Sequence, residues 1–143
     1  MGTRSIIHIK DGDLISPTLV SIYRQYDGYP VGMGKNIIEI LNGGNCKVVN
    51  GYGKDDELPH SYNTMGCLAA YLISKLKDKI GNVYVYPIDS QGVGEEYIYT
   101  LYTQEGRVFL SVNEAYGENE DKTFKLDNPD VLHDFMETFK EED

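Results

Sequence analysis

Seven apolar residues, Met65, Leu68, Ala69, Leu72, Ile73, Leu76 and Ile80, recur at intervals of three or four. That spacing gathers side chains onto one stripe of an α-helix, and such a stripe has to be buried against another layer. Asn63 or Thr64 can cap the start, the predicted helix runs to about Lys79, and Gly81 closes it. Lys75, Lys77 and Lys79 suit the negative end of the helix dipole, so their sign has a structural explanation. No apolar run approaches the roughly 18 residues that a membrane span requires, and no basic segment leads into a secretory apolar stretch. With 41% hydrophobic and 25% charged residues in 143, the expectation is one globular domain over residues 1–143, in the cytoplasm.

What covers the stripe is read from alternation. Ser5 to Lys10 and Leu19 to Tyr26 are β-rich runs separated by the turn formers Asp11, Gly12 and Asp13, which predicts a hairpin. A short helix is expected over residues 34–42, stopped by Gly43 and Gly44, and then a long loop to residue 62. Val83 to Ile88, Tyr97 to Thr103 and Arg107 to Val112 read as an antiparallel meander, with glycines in the connections. A last helix is expected from Pro129, capped by Asn128, with Leu132, Phe135, Met136 and Phe139 inward. The order β-β-α-α-β-β-β-α predicts an α+β fold, a mostly antiparallel sheet with helices packed on one face.

Acidic residues outnumber basic ones 23 to 13, a formal net charge of −10. Direct binding of nucleic acid is therefore not expected. Residues 113–143 hold 11 Asp or Glu against 3 Lys, so most of the acidity belongs to an acidic C-terminal helix and tail ending Lys140-Glu141-Glu142-Asp143. That third is either a solvated face or a surface that docks on a basic protein partner, as a host-factor inhibitor or DNA mimic would. Cys46 and Cys67 are too few for a disulfide framework, and His8, His60 and His133 share no metal-ligand spacing with them. No metal and no cofactor are expected.

The candidate site is the segment Asp27-Gly28-Tyr29-Pro30-Val31-Gly32-Met33-Gly34-Lys35. Glycines let amides face a ligand, and a helix start behind them favours an anion. The spacing is neither a Walker loop nor a dinucleotide fingerprint. Arg4, Arg24 and Lys35 would supply positive charge, Tyr26 or Tyr29 would cover the ligand, and Asp27, Gly32, Gly34 and Asn63 complete the set. Two structural readings compete: the glycines only shape a corner, and Arg24 only pairs with Asp27. Tyr84, Tyr86, Tyr97, Tyr99 and Tyr102 suit either an interface or a half-exposed sheet. A hydrolase using Cys67 or His60 is a further alternative, without a motif to support it.

Met1-Gly2-Thr3-Arg4-Ser5, Tyr26 to Gly34 and Met65-Gly66-Cys67-Leu68-Ala69-Ala70 together resemble a family of small, functionally uncharacterised proteins of bacteria and their phages. These proteins open with MGTR and carry DGYPxGxG and GMGCLAA-like segments, and the likeness covers about residues 1–90. Asn63-Thr64 stands where the family pattern has Asn-Gly. The resemblance implies a compact intracellular protein, phage-encoded in some cases, and brings no catalytic residues with it. The function expected from these residues is binding of a small anionic, nucleotide-like ligand without catalysis.

Overall fold

A computed structural model describes residues 2–117 and 120–140. β1 (Ser5–Lys10) and β2 (Thr18–Arg24) form the expected antiparallel pair, in which Ser5 faces Arg24 and His8 faces Ser21. A π-helical turn (Pro30–Gly34) runs straight into α1 (Lys35–Ile40). The expected long loop contains β3 (Lys47–Val49), which pairs in parallel with β4 (Ser61–Asn63) as a separate two-stranded sheet. Three residues are too few for an alternation to register in sequence.

β4 passes directly into α2 (Thr64–Leu76), whose inner side carries Met65, Leu68, Ala69, Leu72 and Leu76. The helix stops short of Lys79. Lys77 turns to donate from Nζ to the Gly81 and Val83 carbonyls at 2.9 and 2.8 Å, and Ile80 is 98% exposed instead of completing the stripe.

The larger difference concerns β5 (Val83–Tyr86), β6 (Tyr97–Gln104), β7 (Arg107–Glu114) and β8 (Lys122–Lys125). The six-stranded sheet has the order β5-β2-β1-β6-β7-β8. β5 is antiparallel to β2 at one edge, and β6 is parallel to β1. The three runs are therefore not one meander. Residues 87–96 carry the chain across β2 and β1, a step of roughly 4.8 Å per strand that a segment of this length spans easily. Gly92 and Gly94 serve this crossover, both at positive φ. β8 falls within the acidic third and pairs with β7, and α3 (Val131–Thr138) follows it.

One sheet face buries Ile7, Ile9, Ile22, Leu101, Leu110 and Val112 against Ile37, Leu68, Leu72 and Phe135 of the three helices. The fold is α+β, with the helices on one face. The crossover lies on the other face, above Ile6 (0% exposed) and Tyr23 (3%), which are buried but stand outside the helix-packed core. It is held there by Asp89 N–H donating to Ser21 Oγ (3.0 Å) and Thr18 Oγ1 donating to Asp89 Oδ1 (2.5 Å). The buried Glu95 carboxylate accepts from the Gly92 and Val93 amides at 3.1 and 2.8 Å. Among the described residues, no helix is long and apolar enough to cross a membrane.

Candidate functional site

The corner between β2 and α1 uses its glycines for packing. A Cβ on Gly28 would fall 2.7 Å from Ser5 Cβ and 2.8 Å from the Thr3 carbonyl, and one on Gly32 would fall 2.6 Å from the Asp27 carbonyl. A Cβ on Gly34 would run into the Phe135 ring. The amides are engaged too: Gly28 N–H donates to Thr3 O (2.8 Å), while Gly32 and Met33 N–H both donate to Tyr29 O (2.9 Å). Tyr99 Oη donates to the Gly28 carbonyl at 2.6 Å. These contacts leave no amide cradle at Gly28 and Gly32, and the structural reading of the glycines is the one observed.

Arg4 and Arg24 do not meet. Arg24 shares a sheet face with Ser5 and reaches over the turn, donating from Nε to the Tyr26 carbonyl (2.7 Å) and from Nη1 to Met33 Sδ (3.1 Å). Its partners are thus a carbonyl and a thioether, in place of the expected Asp27, which occupies a left-handed turn position at φ 59°. Arg4 lies on the opposite face, where a Cβ on Gly94 of the crossover would come 2.5 Å from its Nη1. Lys35 begins α1, and Tyr26 is 52% exposed while Tyr29 is half-buried. One residue of register separates Arg4 from Ser5, and that alone sends the two arginines to opposite sides of the sheet.

Asn63 belongs to a different place. It lines a cleft of about 290 Å³ beside the start of α2, with Tyr52, Asp56, Leu58, Ser61 and Cys67. Its Oδ1 accepts from Gly51 N–H at 2.9 Å. Asp56 accepts from Gly53 N–H (3.0 Å) and Ser61 Oγ (3.1 Å) and faces Lys47 at 3.4 Å, and these bonds hold its carboxyl below the usual range. An acidic wall suits a cation or a neutral donor better than the anion expected from the sequence.

The Cys67–His60 alternative is not assembled. His60 Nδ1 is bonded to Asn42 Nδ2 at 2.6 Å, with Asn45 Nδ2 at 3.4 Å, whereas Cys67 faces the cleft. Cys46 is 2% exposed, and burial pushes its thiol up to about 12. The same cause raises Tyr62, whose buried hydroxyl has no partner among the described residues. Sequence reasoning missed a different pair, His8 Nδ1 and Ser21 Oγ, 2.7 Å apart across β1 and β2. Ser21 is 0% exposed, so this pair anchors the crossover and presents no nucleophile. Its only sequence signal was that both residues fall on one face of the expected hairpin. Among the described residues, no group of three or more His, Cys, Asp or Glu side chains is placed to hold a metal ion.

The acidic third is built into the fold. Leu126, Val131, Phe135 and Phe139 are all buried in the core, and Phe124 packs on Phe135 with ring centroids 4.8 Å apart. Asp130, Asp134 and Glu137 are exposed on the other side of α3, spaced i, i+4, i+7. Asp134 in the first turn suits the helix dipole, but Glu137 in the last turn opposes it and is held by Lys140 at 3.1 Å. Arg107 pairs in a fork with Asp127, two bonds of 2.8 Å. The expected tail residues Glu141, Glu142 and Asp143 lie outside the described residues. In comparisons with known proteins, no family model, no curated protein and no solved structure matches the chain.

Proposed function

We propose that this protein is a non-enzymatic interaction module that presents the outer side of α3 to a basic protein surface. The observation that carries the reading is the separation of character on that helix. Val131, Phe135 and Phe139 fix it to the core, while Asp130, Asp134 and Glu137 form one carboxylate stripe in solvent. A stripe on a helix anchored at three apolar positions is already ordered before a partner arrives, so little conformational entropy is lost on docking. Opposite charge across the interface raises the association rate and sets the orientation of approach. The net charge of −10 adds long-range attraction for a basic partner. The resemblance of the MGTR opening and the glycine corner to small bacterial and phage proteins supports an intracellular, phage-encoded setting.

Removing residues 113–143 would strip β8 and core side chains and unfold the chain, so the test is charge exchange on the intact protein. The variant Asp130→Lys/Asp134→Lys/Glu137→Lys and the wild type are immobilised in parallel and exposed to bacterial lysate. Basic proteins held by the wild type alone, and released as ionic strength rises, are the expected result. Equal retention of the same proteins by both would reject the proposal.

A further inference from the structure

The register of the sheet aligns side chains on the face without helices into two rows. Tyr86, Ser21, His8, Thr100, Ser111 and Thr123 are successive cross-strand partners, one from each of the six strands. The crossover covers this row over β2 and β1. Beyond it, Thr100 is half-buried, Ser111 is buried at 8% exposure and Thr123 is exposed, so the row opens to solvent towards β8. In the neighbouring row Tyr102 pairs with Phe109 and Phe109 with Lys125, while Lys10 follows the Ile9–Leu101 pair on the same side.

The centre of this second row is aromatic. Tyr102 is 5% exposed and braces the half-buried Phe109, their ring centroids 5.5 Å apart and 25° from parallel. Lys125 is directly opposite Phe109, and Lys10 closes the row two strands away on the other side. Lys10 and Lys125 stand three strand spacings apart, roughly 14 Å between Cα atoms, a span that two long flexible side chains can close over one ring and its substituents. Among the described residues, neither lysine is in an ion pair, whereas Arg107 is taken by Asp127. From β6, β7 and β8 this face receives Ile98, Gln104, Arg107 and Asn113 besides the residues of the two rows; the carboxylate beside Lys125 is that of Asp127, just past β8, and Arg107 holds it in a fork of two 2.8 Å bonds.

We infer that this half-sheet is a binding site for a nucleotide, its base laid against Phe109, its phosphate held by Lys125 and Lys10, and its sugar hydroxyls bonded by Thr100 and Thr123. A ring that stacks, cations beside it and neutral hydrogen-bonding groups around it are the chemistry by which sheet faces take nucleobases. Asp11, Asp13 and Glu105, exposed in the turns at the strand ends, and the net charge of −10 repel a long polyanion. The occupant is therefore expected to carry one or a few phosphates. The site is independent of the α3 stripe and stands if that reading fails.

The test is titration of the ¹⁵N-labelled full chain with the four ribonucleoside monophosphates, adenosine, inorganic phosphate and a short single-stranded oligothymidylate. Amide signals of Thr100, Phe109, Ser111 and Lys125 are expected to move with at least one monophosphate. Adenosine and phosphate alone are expected to bind about tenfold more weakly, as are Lys10→Gln/Lys125→Gln and Phe109→Leu with the monophosphate. Phe109→Leu keeps an apolar side chain, and an unchanged circular dichroism spectrum shows that each variant is folded. A monophosphate that outcompetes the oligonucleotide supports a free nucleotide as the ligand, and the reverse order would overturn that assignment. No shift with any probe, shifts confined to other surfaces, or wild-type affinity in both variants would overturn it.

Discussion

Arg4 and Arg24 stand at the same end of one sheet and point to opposite faces of it, Arg24 over Met33 and Arg4 under Gly94. Two side chains with a sheet between them share no partner, so their contributions to stability should be independent. In urea unfolding, the loss from Arg4→Ala/Arg24→Ala is expected to equal the sum of the single losses within about 0.5 kcal/mol. A coupling of about 1 kcal/mol or more would place them in one network after all.

The glycines of the corner should behave as packing residues. Gly28→Ala pushes a methyl against Ser5 and the Thr3 backbone and is expected to destabilise by about 2 kcal/mol. Gly66 is the control, since it lies exposed in α2 and a methyl there would meet only Thr64 Oγ1 at 3.8 Å. Gly66→Ala should stabilise by about 0.5–1 kcal/mol through helix propensity. Thermal or urea unfolding of the two variants gives both signs in one experiment.

How much of this was legible in the chain follows from what each signal measures. The periodicity from Met65 to Leu76 marked α2 because a core-facing helix repeats over several turns, and the β1–β2 hairpin showed through its turn residues. The crossover was hidden because a glycine-containing connection suits a meander as well as a passage over two strands. β3 and β4 were hidden by their length. The expected convergence of Arg4 with Arg24 failed for a related reason: charge, glycine and helix start were all present in sequence, but the face on which Arg4 lies is fixed by strand parity against the partner strand. His8 and Ser21 illustrate the converse, since alternation places them on one face and only pairing makes them neighbours.

Glu95 is the fastening of the crossover. Glu95→Ala would leave the Gly92 and Val93 amides without their acceptor and is expected to cost about 2 kcal/mol. Those two amides should then exchange with solvent faster than in the wild type, with Glu95→Gln falling between because one carbonyl oxygen remains. Unchanged exchange in the alanine variant would show that the crossover is held by Asp89 alone.

Burial lowers the pKa of His8 from its ordinary 6.5, the largest effect on it, partly opposed by Asp89 and Glu95. The unfolded chain therefore takes up the proton first as pH falls, and the folded state loses stability from about pH 6.5 down through the lower folded value. His8→Gln should flatten that part of the stability profile, and NMR titration of the imidazole should give a midpoint below 6.5. A midpoint above it would reverse the sign.

The two thiols should differ sharply. Cys67, at the cleft beside α2, should react with an aromatic disulfide reagent in the folded protein, while Cys46, buried and pushed up to about 12, should react only after unfolding. Cys67→Ala should accordingly leave a native protein with no reactive thiol. Equal rates for both in the wild type would place Cys46 at the surface.

Docking through α3 is tested most directly by binding affinity against ionic strength for a basic partner recovered with the wild type. The wild type should lose affinity steadily as salt rises, and Asp130→Lys/Asp134→Lys/Glu137→Lys should bind far more weakly at low salt with an unchanged fold. Affinity that ignores both salt and the charge exchange would contradict it.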